Sequence, residues 1–178
     1  MKKSLFLWQL CGFAFTSLAG TLLHYLFEWS NESPLAAVIS GVNESTWEHM
    51  KLLFVPMFIF ALIQSLYFKR TVNFFCIKLC GILLGILIIP FVFYTYNGAF
   101  GKSPDWFNIA LFFFAAAATY IFEYRLFIKN QPRVLPEFLC FVILIIIASL
   151  FVVFTFITPK LPLFKDPIDQ TYGYISQA

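Results

Sequence analysis

Apolar and polar positions sort into five long apolar runs joined by short polar connections: roughly Leu5 to Phe27, Met50 to Phe68, Phe74 to Tyr96, Phe107 to Phe127 and Phe138 to Thr158. Each is close to the about 20 residues that an α-helix needs to cross a bilayer. Alternation at period two and turn-rich short strands are missing, which argues against a membrane barrel. The pattern predicts an all-α polytopic membrane protein, a bundle of five transmembrane helices over 1–158. Pro56 and Pro90 fall inside the second and third runs, where a kink is expected and neighbouring helices must compensate the lost backbone bond. Ser17-Leu18-Ala19 resembles a signal-peptide cleavage site. The run around it is longer than the roughly 7–15 residues of an h-region, so it reads as the first span.

Between the first two runs, Pro34 to Ile39 suggests a short interfacial or re-entrant piece. After the fifth run, 159–178 contains Pro159, Pro162 and Pro167 and is not apolar enough to span. It is expected to form an extracytoplasmic tail that folds back as a lid, anchored by Phe164 and Tyr172. Gly12, Ala14, Gly20, Gly81, Gly85 and 115–118 supply small residues for close helix packing.

Composition strengthens the membrane reading. Of 178 residues, 61% are hydrophobic and only 12% charged, against about a quarter charged in a soluble domain. The charges also divide by side. Lys2, Lys3, Lys69, Arg70, Lys78, Arg125, Lys129 and Arg133 share one side with only Glu123 and Glu137. The other side holds Lys51, Lys102, Lys160 and Lys165 against Glu28, Glu32, Glu44, Glu48, Asp105, Asp166 and Asp169. By the positive-inside rule the N-terminus is cytoplasmic, the C-terminus is outside, and the protein resides in the cytoplasmic membrane as a multi-pass chain. Trp29, Trp47 and Trp106 then fall at the outer boundary, as an aromatic belt would place them. The bilayer is the partner this implies; no basic helix face points to nucleic acid. Cys11, Cys76, Cys80 and Cys140 all lie in apolar runs and read as free, small hydrophobes. No disulfide framework is expected.

The densest polar cluster is Val42 to Lys51, at the entrance to the second run. Ionisable side chains placed where a helix enters a bilayer are costly and point to function. The chain has two histidines, and the topology puts His24 and His49 at matching depth near the outer boundary. Glu28 lies one turn after His24, and Glu44 and Glu48 accompany His49. Two His and a carboxylate with a place for water is a ligand set of catalytic zinc. The expected metal ligands are thus His24, Glu48 and His49, for zinc or another divalent metal. Glu44 is the expected general base toward metal-bound water. Glu28, Asn43, Thr46 and Lys51 would contact or orient a ligand, Lys51 through its positive charge. A structural reading competes: Ser45-Thr46-Trp47-Glu48 has the form of a capping box. Glu123, near the inner end of the fourth run, reads as paired or snorkelling.

The stretch N-E-S-T-W-E-H-M-K over 43–51 resembles a family of small, uncharacterised bacterial integral membrane proteins. The tail Thr158-Pro159-Lys160-Leu161-Pro162-Leu163-Phe164-Lys165-Asp166-Pro167, with Tyr172-Gly173, is similar to that family's P-L-F-x-D-P…Y-G ending. The close Tyr172-Gly173-Tyr174-Ile175 departs from the usual one. The resemblance implies that the cluster and the tail form one functional unit; it carries no activity and no catalytic residues.

Two functions follow from the cluster. One is a metal-dependent hydrolase acting on a lipid or envelope substrate at the outer leaflet. The other is a non-enzymatic component that binds a small solute, a lipid or a partner subunit in an outer-facing polar pocket, as a transport subunit or a structural or immunity-type protein would.

Overall fold

The computed structural model describes residues 2–68, 73–130 and 135–175. Lys69, Arg70 and Arg133, assigned above to one side of the membrane, and 176–178 of the tail lie outside them. Five helices are long and apolar enough to cross a membrane. They are α1 (Lys2–Trp29), α3 (Thr46–Tyr67), α4 (Phe74–Phe100), α5 (Asp105–Lys129) and α6 (Glu137–Phe156). Pro34–Ala37 forms a one-turn helix, α2, where the short interfacial piece was expected. The described residues contain no strand, only an isolated antiparallel bridge between Lys165 and Tyr172. Pro56 and Pro90 both sit inside continuous helices.

Helix α3 is the axis of the bundle. It is the most buried span and packs against α1, α4, α5 and α6. Its core residues Leu53, Phe54, Met57 and Phe60 mesh with Ile82 and Ile86 of α4, Ala115 and Tyr120 of α5, and Leu144 and Phe151 of α6. Helices α4 and α5 form the most heavily packed pair, and small residues explain it. A Cβ on Gly85 would strike the Thr119 hydroxyl, and one on Gly81 would strike the Glu123 carboxylate. The Gly81-x-x-x-Gly85 stripe thus lets the two backbones close up, and Thr119 donates to the Gly81 carbonyl at 3.1 Å. Large apolar side chains such as Leu18, Phe91 and Phe138 face outward, as helices bathed in lipid require.

Glu123 does not reach the interface; it is buried and paired with Lys78 at 2.5 Å. The Lys78 ammonium also lies 5.4–6.0 Å from the ring centroids of Phe60, Phe74, Tyr120 and Phe127. That box of aromatic faces supplements the carboxylate as a partner for the charge.

Two expectations are corrected. Trp29 and Trp106 are exposed as belt residues should be, but Trp47 turns inward. Its ring centroid lies 4.6 Å from that of Phe151 and 4.8 Å from that of Phe164. The half-buried ring packs among Phe151, Phe154 and Phe164 beneath the tail, and those ring contacts hold it away from the headgroup level. The cysteines are not all free either: Cys76 and Cys140 are disulfide-bonded, leaving Cys11 and Cys80 as thiols. Spacing along one helix draws attention to Cys76 and Cys80, whereas the bonded partners begin two different helices at the same end of the bundle. Alkylation of the denatured, unreduced protein should modify Cys11 and Cys80 only. Mass-spectrometric detection of four alkylated cysteines would remove the bridge.

Candidate functional site

The end of the bundle opposite the disulfide gathers the last turns of α1, α4 and α6 with the first turns of α3 and α5. Local structure at the start of α3 fixes the cluster. Ser45 caps the helix, its hydroxyl accepting from the Glu48 amide at 3.3 Å, and it is held by Asn43, whose side-chain oxygen accepts from the Ser45 amide at 3.0 Å. The reciprocal half of a capping box is absent, because the Glu48 carboxylate points elsewhere.

Consecutive residues on a helix diverge by about 100°, so Glu48 and His49 leave α3 in different directions. Glu48 turns into the bundle and meets Lys51 at 2.6 Å, both side chains almost fully buried. Lys51 also donates to the Ala37 carbonyl at 2.9 Å and to the Thr155 hydroxyl at 2.8 Å. Thr155 lies 3.0 Å from Glu48 Oε1 and 2.9 Å from the Phe151 carbonyl, either of which can take its hydrogen. The amide of Val42 donates to Glu48 Oε2 at 3.3 Å. This is a knot of α2, α3 and α6, with every charge matched.

His49 turns toward α1. Its Nδ1 lies 3.0 Å from the Ser45 carbonyl; a carbonyl only accepts, so Nδ1 is the donor. The opposite nitrogen, Nε2, lies 3.5 Å from Glu44 Oε2, while His24 Nε2 lies 3.6 Å from Glu44 Oε1. The imidazole centroids are 5.9 Å apart. Glu44 therefore sits between the two rings, at distances too long for direct hydrogen bonds. Its backbone is fixed by the tail: the Glu44 amide donates to Asp166 Oδ2 at 2.9 Å.

Two clefts open at this cluster and share Glu44, His49, Asp105, Asn108, Phe112 and Ile168. The first, about 420 Å³, runs between α4 and α5 past Asn97, Lys102 and Ser103 to Ile89, Phe93 and Leu111. The second, about 460 Å³, runs between α1 and α5 past His24 to Tyr25, Ile109 and Phe113. Each passes from a polar mouth to an apolar wall, and each has the size of a small-ligand site.

The tail completes the rim. Phe164 is buried against Trp47 and Phe154, as its anchoring role predicted. The second anchor is Tyr174 rather than Tyr172, with its ring near Phe27 and Phe156 and its amide donating to the Thr155 carbonyl at 2.8 Å. Gly173 makes this seating feasible. It has a φ of +58°, and a Cβ there would strike the Thr158 hydroxyl. Pro167, Ile168 and Gln170 then line the first cleft.

Of the residues expected to act, His24, Glu44 and His49 are brought together and Thr46 lines the first cleft. Glu48, expected beside the histidines, is committed to Lys51, and Lys51, expected to face a ligand, is buried. Asn43 bonds Ser45 and the Gly173 carbonyl. Glu28 is exposed and lines neither cleft. Among the described residues no group of three or more His, Cys, Asp or Glu is placed to hold a metal ion, so the ligand set His24, Glu48 and His49 is not assembled. Asp105 and Asn108, shared by both clefts, were missed as site residues. The signal was available: both open the fourth apolar run at the depth of the two histidines.

The fold and its surface define an all-helical, multi-pass membrane protein. The chain belongs to a family of unknown function (DUF6512), whose model matches residues 1–174. Neither the curated proteins nor the solved structures yield a significant match.

Proposed function

We propose that this protein is a binding component of the cytoplasmic membrane that holds an amphiphilic, lipid-like ligand. Its head would lie at His24, Glu44 and His49 and its chain along the apolar walls, with the site opening to the outer side. The observation that carries the reading is the pair of clefts that share one polar mouth and continue into apolar walls. A ligand with a polar head and an apolar chain matches that gradient, whereas a fully polar solute would leave Phe112, Leu111 and Ile109 uncovered. The hydrolase reading is weaker, since the carboxylate expected to complete a metal site is bound to Lys51.

The outward placement is supported by charge. Without the two internal ion pairs, the described residues place four basic and one acidic at the disulfide end, against three and six at the cleft end. In this orientation the Cys76–Cys140 bond lies at the cytoplasmic end, where thiols are normally kept reduced. Its burial, 2% and 1% exposed, shields it from soluble reductants.

A fluorescent long-chain alcohol titrated against the full chain in nanodiscs tests the binding. Saturable binding is expected, weakened about fivefold by Ile168→Ser, which trims an exposed wall residue of both clefts. Partitioning no greater than into protein-free nanodiscs would reject it.

A further inference from the structure

We infer that the second cleft selects an amphiphile with a cationic ammonium head, an inference that rests on the binding reading above. The chemistry of its lining is one-sided. Glu44 and Asp105 both face it, and among the described residues no Lys or Arg does. Lys102 lines only the first cleft. His49 is oriented rather than free: with Nδ1 donating to the Ser45 carbonyl, its Nε2 is turned toward Glu44. Both Glu44 oxygens face ring nitrogens at distances beyond a hydrogen bond. Beyond these two imidazoles, no described cationic side chain lines the second cleft.

The walls favour an organic cation. Tyr25, Phe112 and Phe113 line the same cleft, and aromatic faces attract ammonium groups through the ring quadrupole. A carboxylate pair beside aromatic rings holds an ammonium by charge and by π-faces together. It would repel an anionic head and gain only a hydrogen bond from a neutral one. The apolar run along Ile109 and Leu52 then takes the chain of the same molecule.

The test uses a long-chain primary amine, alcohol and carboxylate of equal length, each titrated against the full chain in nanodiscs. Binding is read by displacement of the fluorescent alcohol and by thermal unfolding. The amine should bind roughly tenfold tighter than the alcohol and the carboxylate weakest. Glu44→Gln should abolish the amine preference while leaving alcohol binding in place, and Asp105→Asn should reduce it. Glu28→Gln, an exposed change outside both clefts, should alter neither. Should Glu44→Gln fail to fold, the Asp105→Asn titration alone decides.

Equal binding of the three heads, or a preference for the carboxylate, overturns the cationic selection and leaves the amphiphile reading intact. Absence of binding by any of them overturns both. Stabilisation by zinc ions, reversed by a chelator and lost in His24→Ala, with no amine preference, also overturns it and returns the cluster to a metal ion.

Discussion

Lys51→Met is expected to destabilise the protein by about 3–5 kcal/mol, the usual cost of breaking a buried ion pair from one side. The lysine is fully buried and donates to Glu48, Thr155 and the Ala37 carbonyl. Without it, Glu48 keeps only the Val42 amide and the Thr155 hydroxyl as donors. A carboxylate in an apolar bundle with its one cationic partner removed is a costly object. Adding Glu48→Gln should recover most of the loss, because replacing both partners removes the orphaned charge. Equilibrium unfolding in mild detergent measures both variants. A single Lys51→Met that unfolds like the parent would show that water reaches this pair.

At the other end of the bundle the two halves of an ion pair should behave unequally. Lys78→Met leaves the Glu123 carboxylate, buried at 1% exposure, without its cationic partner, and should also cost about 3–5 kcal/mol. Glu123→Gln leaves the ammonium inside its box of Phe60, Phe74, Tyr120 and Phe127. Cation–π contacts, about 2 kcal/mol each when desolvated, should hold that loss well below the first. The same unfolding assay compares them. Equal losses would mean that the rings contribute packing and no electrostatic support.

The five spans were legible because lipid demands long apolar runs that nothing else in a sequence imitates. The meeting of His24 and His49 was legible for a related reason, since topology assigns each residue a depth and depth brings distant residues to one level. The same depth argument, applied to cysteines, points to Cys76 and Cys140, each near the start of a helix from the same end. What depth cannot supply is azimuth. Glu48 and His49 share a level and part company around the helix, one to α6 and one to α1. Helical geometry alone separates neighbours in this way, and it also pairs Glu48 with Lys51 three residues on. Glu44 precedes the helix, so no periodicity governs it; the tail carboxylate of Asp166 sets its direction. That contact joins residues 122 positions apart and had no local signature.

The seat of the tail also orders events during synthesis. Glu44, near the start of the chain, is held by Asp166, and Asn43 by the carbonyl of Gly173. A nascent chain can therefore insert the five described spans and still lack a finished cleft until residues 166–173 have been made. The rim of the clefts is thus completed only after the five spans, when the segment around Asp166 and Gly173 has been made and seated.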